Sequence, residues 1–367
     1  MFAPTEYLRW AMRLHGTAEY DLATSGMRPV PLTELGMPAS LEDPVAWRTL
    51  RACIASYNGV PPEEAVPTLG TTHALWTAYS ALLSPGDEVL VEQPTYEPMW
   101  RIAEGLGARV VRFARPPAER FALDPSRVAA AITDRTRLVV VSNLHNPGGV
   151  RAGDDTLREV AQIAAARGAH LLVDEVYAPF DDLASPEADD SGRASWAGSA
   201  RRLGANVVVA SSLTKGYGLG AHRIGWVLGP PDVASRAEDA LVSNFGHVPL
   251  AYPSFAVHAF DRLAALAARA RDDLRGKRDT VAAWVAARPD LEWSAPTSGL
   301  FGFVTVTRGA PDLDLRPLLE RGARDHGVLV VPGVFFGVPR GFRLAWALDR
   351  ARLPEALDRL GQVLAGA

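Results

Sequence analysis

The sequence predicts an α/β fold built on a mostly parallel sheet, and three observations carry that prediction. From about residue 65, short runs of valine and leucine alternate with stretches of helical period. The apolar runs are near-continuous rather than alternating, which is the pattern of strands covered by helices on both faces. After Pro253 the pattern changes to a long Ala/Arg-rich helical region, and beyond it strand-like and helical segments resume as a second, smaller α/β layer.

The elements follow in order. MFAPTEYLRWAMRLHG opens the chain with charges throughout, so it does not read as a signal peptide. AVPTLG (65–70) reads as a strand followed by the helix THALWTAYSALL (72–83). DEVLVEQ (87–93) is followed by TYEPMWRIAEGLG (95–107), and TRLVVVSN (136–143) by GDDTLREVAQIAAARG (153–168). HLLVDE (170–175) and NVVVASS (206–212) continue the style, separated by DDLASPEADDSGRAS (181–195), polar and acidic enough for a surface loop. Residues 254–288 read as one long helical region able to bridge two domains. GLFGFVTV (299–306) and FRLAWAL (342–348) read as strands, and LRPLLERGARDHG (315–327) and LPEALDRLGQVL (353–364) as helices.

Composition narrows the function. With 367 residues, 48% hydrophobic and 22% charged, the chain has the makeup of a soluble globular protein with room for a large core and a smaller domain. A formal net charge of −4 gives no nucleic-acid footprint. The single cysteine, Cys53, cannot form an internal disulfide, which fits a reducing cytoplasm. No apolar run is long enough for a membrane span, and the eight histidines lack metal-ligand spacing, so no metal site is expected.

In an open parallel sheet, ligands bind beyond the carboxyl ends of the strands. Those ends carry Gly70-Thr71-Thr72, Thr95-Tyr96, His145-Asn146-Pro147-Gly148-Gly149, Asp174-Glu175-Val176-Tyr177 and Ser212-Leu213-Thr214-Lys215. Each has a plain reading as well. Gly-Thr-Thr serves as an ordinary helix start, Tyr96 and Tyr177 as packing residues, and His145 and His222 as structural histidines. Asp174 is a costly carboxylate at the end of an apolar strand unless a cation faces it. GYGLG (216–220) lacks the spacing of a dinucleotide fingerprint. Convergence of five strand ends on one rim outweighs any single motif.

Lysine usage adds a second signal. Of 38 basic residues only Lys215 and Lys277 are lysines. Arginine replaces lysine in most surface roles, but it does not lose its proton near neutral pH and attack a carbonyl. A lysine kept in SSLTKGYGLGAHR, with Arg223 eight positions on, points to such chemistry.

The ordered set Gly70-Thr71-Thr72, PTY (94–96), HNPGG (145–149), DEVY (174–177) and SLTK with Arg223 resembles fold-type I pyridoxal-phosphate enzymes, and within them the aspartate-aminotransferase-like class I/II aminotransferases. The resemblance implies the cofactor pyridoxal 5′-phosphate, held as a Schiff base by Lys215, which then serves as base and acid at the substrate Cα. It implies that Asp174 keeps the pyridine nitrogen protonated, that Asn146 and Tyr177 bond the phenolic oxygen, and that Tyr96 stacks on the ring. The phosphate is expected on the N–H groups of Thr71 and Thr72 behind Gly70, the Ser212 hydroxyl and Arg223. Arg343 matches the arginine that grips the substrate α-carboxylate, and Ser25-Gly26 in ATSG (23–26) the segment that closes over the substrate. The same resemblance implies residues 1–40 joining a small domain, a large cofactor domain over 41–270, a small C-terminal domain over 271–367, and a homodimer.

The sequence departs from that pattern in places. The run NLHNPGG replaces the usual proline- and threonine-containing turn, and Thr214 stands where a serine usually precedes the lysine. LEDPVAWRTLR holds no tyrosine where the neighbouring subunit often lends one to the phosphate, and VSNFGHVPLAYP offers no arginine for a distal carboxylate. The expected reaction is amino transfer between a neutral, aromatic or unusual α-amino acid and a 2-oxo acid. Elimination, cyclisation, decarboxylation or oxidation on the same cofactor is the alternative. A cofactor sensor fused to a DNA-binding module is disfavoured, because the first 40 residues are too few and too little basic for such a module.

Overall fold

Strands β1 (Ala65–Leu69), β2 (Glu88–Gln93), β3 (Arg109–Ala114), β4 (Thr136–Ser142), β5 (His170–Asp174), β6 (Val207–Ser212) and β7 (Ile224–Leu228) form one sheet in a computed structural model. The model describes residues 2–366 apart from 183–186, 189–193, 197, 247, 297 and 311–312. Most of the surface loop expected over 181–195 therefore lies outside the described residues.

The strand order is β1-β7-β6-β5-β4-β2-β3. β2 through β6 pair in parallel, whereas β7 runs antiparallel to both β1 and β6. The central strands are buried along nearly their whole length, as their unbroken Val/Leu runs require once helices cover both faces. Two strands were not legible as such. β3, RVVRFA, sits at the sheet edge, where its two arginines break the apolar run and Arg109 is exposed. β7, IGWVL, follows a glycine-rich loop that hides its start.

The expected long helical region is three helices instead: α1 being assigned to Glu6–Leu14 and α2 to Thr71–Leu82, these are α3 (Ala251–Phe260), α4 (Leu263–Leu274) and α5 (Lys277–Ala286). Alanine and arginine favour helix at every position, so periodicity alone runs through the breaks. The chain turns at Asp261-Arg262, and again at Gly276, whose φ of +75° lies in the left-handed region that glycine enters freely.

A second sheet of four strands, β8 (Leu291–Trp293), β9 (Phe301–Val306), β10 (Val331–Pro332) and β11 (Gly341–Ala345), is antiparallel in the order β8-β9-β11-β10. The N-terminal segment joins this part of the molecule: Tyr20–Asp21 pairs in parallel with Val328–Leu329. Among the described residues no helix is long and apolar enough to cross a membrane, and no group of three or more His, Cys, Asp or Glu residues is placed to hold a metal ion.

One buried polar network holds the rim of the large sheet. Glu92 and Arg115, both fully buried, form an ion pair, and the Arg115 Nε donates to the Phe121 carbonyl at 2.9 Å. Glu92 Oε1 also accepts from the Ser142 hydroxyl at 2.6 Å and the Ser142 N–H at 2.8 Å. Ser142 Oγ in turn accepts from the Asn146 N–H at 3.1 Å. Removing one partner of such a pair costs about 3–5 kcal/mol, so the Asn146 turn is strongly tied to the sheet.

Candidate active site

A cavity of about 580 Å³ opens at the carboxyl ends of the parallel strands. Ser25, Thr71, Thr72, Tyr96, Asn146, Asp174, Tyr177, Lys215, Arg223 and Arg343 all line it. Ser212 stands just behind, its Oγ accepting from Thr71 Oγ1 at 2.8 Å and lying 2.7 Å from Thr214 Oγ1. Gly70 caps the helix behind Thr71, and Gly26 lies against Lys215. The structure thus brings every sequence-predicted site residue to one place. A wider hollow of about 730 Å³ lies between Pro116–Phe121 and β8, and none of these residues faces it.

Lys215 follows β6 and is half-buried. Burial, then the charges of Arg343 and Arg223, push its amine down to about 8, while Asp174 opposes them. An amine so placed is part neutral near pH 7, which a nucleophile and a base both require. Asp174 ends β5, and burial pushes its carboxyl up to about 7; its Oδ1 accepts from the Val176 N–H at 3.0 Å. A buried carboxylate with one fixed donor calls for a cation on its other oxygen.

Tyr177 is buried, with its hydroxyl 2.7 Å from Ser25 Oγ and its ring packed edge-on against Phe301. Burial raises its phenol above the ordinary range. The loop that carries Ser25 lies along the lysine segment: the Met27 N–H donates to the Lys215 carbonyl at 2.8 Å, and the Val30 N–H to the Gly218 carbonyl at 3.1 Å.

At the anion end, α2 starts at Gly70 with no side-chain cap and no acidic residue in its first turn. Its leading N–H groups therefore face the cavity without a protein partner from a cap, which is a ready anion site. Gly70 has φ +79°, and a Cβ there would come within 2.8 Å of Arg223 Cζ. Arg223, itself at φ 55°, is exposed and gives Nη1 to the Gly220 carbonyl at 3.1 Å. A dianionic phosphate fits this cradle, a protonated ring nitrogen fits Asp174, and a carbonyl carbon fits Lys215. The chemistry of the donor set is that of pyridoxal phosphate.

Arg343, in β11, is 1% exposed. It donates from Nη1 to Asn146 Oδ1 at 2.9 Å, and from Nη2 to Tyr7 Oη at 2.9 Å and the Ala23 carbonyl at 3.1 Å. Its Nε has no partner among the described residues. A buried arginine on a cavity wall has the charge and the planar fork that suit a carboxylate.

The sequence reading missed one wall altogether. Tyr7, Leu8, Ala11, Met12 and His15, on and just after α1, line the cavity. The spacing of Tyr7, Trp10, Ala11 and Leu14 in EYLRWAMRL is that of an amphipathic helix, and this was the available signal. Glu97 holds the helix start, accepting from the N–H groups of Glu6 at 3.1 Å and Tyr7 at 2.7 Å. Of the two histidines read as structural, His145 is fully buried with Nε2 2.9 Å from the Pro94 carbonyl, and His222 stacks on Phe255.

Comparison with known proteins identifies the family. The family profile described as "Aminotransferase class I and II" matches residues 41–360. The chain belongs to the aminotransferase class I and II family. As a member, it is an aminotransferase that works with pyridoxal phosphate. This aminotransferase is 30% identical to capreomycidine synthase of Streptomyces vinaceus, over 97% of its own length and 92% of the relative's. It is 30% identical to an arginine–pyruvate transaminase of Pseudomonas aeruginosa, over 85% of its own length and 79% of the relative's. Its fold matches that of a PLP-dependent aminotransferase from Streptococcus suis with a TM-score of 0.85 and 23% identity, covering 100% of this chain and 98% of the other.

Proposed function

We propose that this aminotransferase moves the amino group of a neutral, aromatic or unusual α-amino acid to a 2-oxo acid, with Lys215 as the residue that holds the cofactor and carries the α-proton. The observation that supports this most is the position of Lys215, a partly neutral amine between the buried carboxylate of Asp174 and the carboxylate receptor Arg343. When bound, pyridoxal phosphate supplies an electron-withdrawing ring that spreads negative charge from the substrate Cα.

The chain's own residues do the rest. Asp174 would hold a proton on the ring nitrogen, Asn146 and Tyr177 would bond the phenolic oxygen, and Tyr96 would cover the ring. The N–H groups of Thr71 and Thr72, the Ser212 hydroxyl and the Arg223 fork take the phosphate; hydrogen bonds of this charged kind contribute about 1.5–3 kcal/mol each. Lys215 would take the proton from the substrate Cα and hold it on its amine for return within the site. Arg343 orients the α-carboxylate, and Ser25-Gly26 closes the loop over it.

The substrate class follows from what is left. The cationic side chains on the cavity wall, Lys215, Arg223 and Arg343, are all engaged by this scheme. Leu8, Ala11 and Met12 are apolar, and burial lowers the His15 imidazole below its ordinary value, so this wall carries no fixed positive charge for a second carboxylate. An acidic substrate is disfavoured.

Holoenzyme incubated with single amino acids and no oxo acid provides the test, the released cofactor being identified by mass spectrometry. Accumulation of pyridoxamine phosphate with particular donors is expected. A second reading, ring closure on the same cofactor, is favoured by one observation. The match to capreomycidine synthase spans 97% of the chain, whereas that to the arginine–pyruvate transaminase spans 85%. Consumption of an amino acid with the cofactor left as pyridoxal phosphate would decide for it.

The domain division proposed is a large unit over 41–270, with 1–40 and 271–367 forming a smaller one, supported by the pairing of Tyr20–Asp21 with Val328–Leu329. A cytoplasmic homodimer is proposed with it, and light scattering that gave a monomer at every concentration would overturn the dimer.

A further inference from the structure

Tyr7 has an unused hydrogen. Its hydroxyl oxygen accepts from Arg343 Nη2 at 2.9 Å, so the phenol's own hydrogen points elsewhere, and no acceptor for it is present among the described residues. The residue is 6% exposed and lines the cavity together with Arg343. A phenol hydrogen aimed into a cavity and given no acceptor by the protein is free to meet a ligand there.

The side chain is held where it is. Its backbone N–H is fixed on Glu97 Oε2 at 2.7 Å, and its ring packs edge-on against Tyr96 with centroids 5.8 Å apart and against Phe335 at 5.9 Å. Arg343 is equally constrained: its three hydrogen bonds leave the buried Nε unpaired. An anion brought to Arg343 therefore meets an unpaired phenol hydrogen beside the guanidinium's Nη2.

We infer that Tyr7 is a second ligand of the substrate α-carboxylate, donating its hydroxyl hydrogen to the oxygen that Arg343 grips. The inference rests on the reading of Arg343 as the carboxylate receptor. It makes helix α1 part of the binding site, so that recognition of an acid, as opposed to a bare amine, depends on a segment outside both sheets.

The test uses holoenzyme and two reagents that capture the cofactor aldehyde, read by loss of its absorbance. Aminooxyacetate carries a carboxylate and O-methylhydroxylamine does not, so neither depends on knowing the natural donor. Tyr7→Phe is expected to weaken capture by aminooxyacetate about tenfold, the value of one charge-assisted hydrogen bond, and to leave O-methylhydroxylamine unchanged. Tyr7→3-fluorotyrosine separates donation from mere support of Arg343. Fluorine makes the phenol a better donor and a poorer acceptor, so donation to the carboxylate predicts tighter capture of aminooxyacetate. Weaker capture by the fluorinated protein, equal loss of both reagents in Tyr7→Phe, or no loss at all would overturn the inference. Arg343→Gln serves as the control. If it removes the preference for aminooxyacetate while Tyr7→Phe does not, only the role of Tyr7 falls; if it too keeps the preference, the carboxylate reading of Arg343 falls with it.

Discussion

The hydroxyl groups of Ser25 and Tyr177 lie 2.7 Å apart although 152 residues separate them in the chain. That contact ties the N-terminal loop to a residue proposed to face the cofactor's phenolic oxygen. Ser25→Ala removes only the tether, so KM for the amino donor should rise with the cofactor absorbance unchanged. Tyr177→Phe removes both functions, and turnover should fall about tenfold or more with a shifted absorbance. Identical kinetics and spectra for the two variants would contradict this division of roles.

Lys215 gives a pH prediction. Its amine is lowered to about 8, chiefly by burial, so the neutral fraction grows as pH rises through 8. Uptake of pyridoxal phosphate by the cofactor-free protein should accelerate over the same range. Because the Arg343 charge contributes to the lowering, Arg343→Gln should move the midpoint upward. Lys215→Ala should abolish turnover, and wild-type rates in that variant would sink the assignment.

Burial pushes the carboxyls of Asp174 and Glu175 up to about 7. Folding then favours their protonated forms, so the stability linked to them is full below the ordinary carboxylate range, near pH 4, and is lost as pH rises through 7. The cofactor-free protein should melt at a lower temperature at pH 8 than at pH 6. Glu175→Gln should flatten that dependence; an unchanged slope between wild type and variant would count against it.

Gly70 and Gly225 meet backbone to backbone, a Cβ on Gly225 falling 2.6 Å from Gly70 Cα. Gly225→Ala should lower the melting temperature by several degrees, since backbone on both sides cannot give way. Gly70→Ala places its methyl on Arg223 and also strains a left-handed residue, so it should weaken cofactor binding more than tenfold in equilibrium dialysis.

Glu97 clamps the start of α1 through the Glu6 and Tyr7 N–H groups and also receives Arg101 Nε at 3.2 Å. Glu97→Gln should loosen the helix without touching the cofactor. Limited proteolysis should then cut within the first 15 residues faster than in wild type, and donor KM should rise. Equal cleavage rates would mean that packing alone retains α1.

The parts of the site that the sequence revealed are those where chemistry restricts the residue type. Asp174 stands out because a carboxylate at the end of a buried strand demands a reason, and Lys215 because arginine cannot take its place. Arg343 could be placed only through the family resemblance. Tyr7 escaped because an amphipathic helix shows which face is buried but not what it is buried against. Nothing local in sequence links Glu92 to Arg115, Ser142 and Asn146; the network exists only once parallel strands are side by side. The three helices between residues 251 and 286 were merged because alanine-rich sequence has no periodicity to interrupt.

Along most of the rim, one functional residue is separated from the next by a helix and its connections, stretches whose length the fold can alter. The span from Lys215 to Arg223 is different. Because β7 returns antiparallel beside β6, both cations lie on the same rim, joined by the single hairpin loop 213–223 that the Met27–Val30 strip overlies. Spacing between the amine and the guanidinium is thus set by the number of residues in one loop. An added or deleted residue within 216–222 would displace one charge relative to the other, whereas lengthening a helical crossover elsewhere would leave the rim in place. The hairpin acts as a ruler, and drift in its length is the change this site can least absorb.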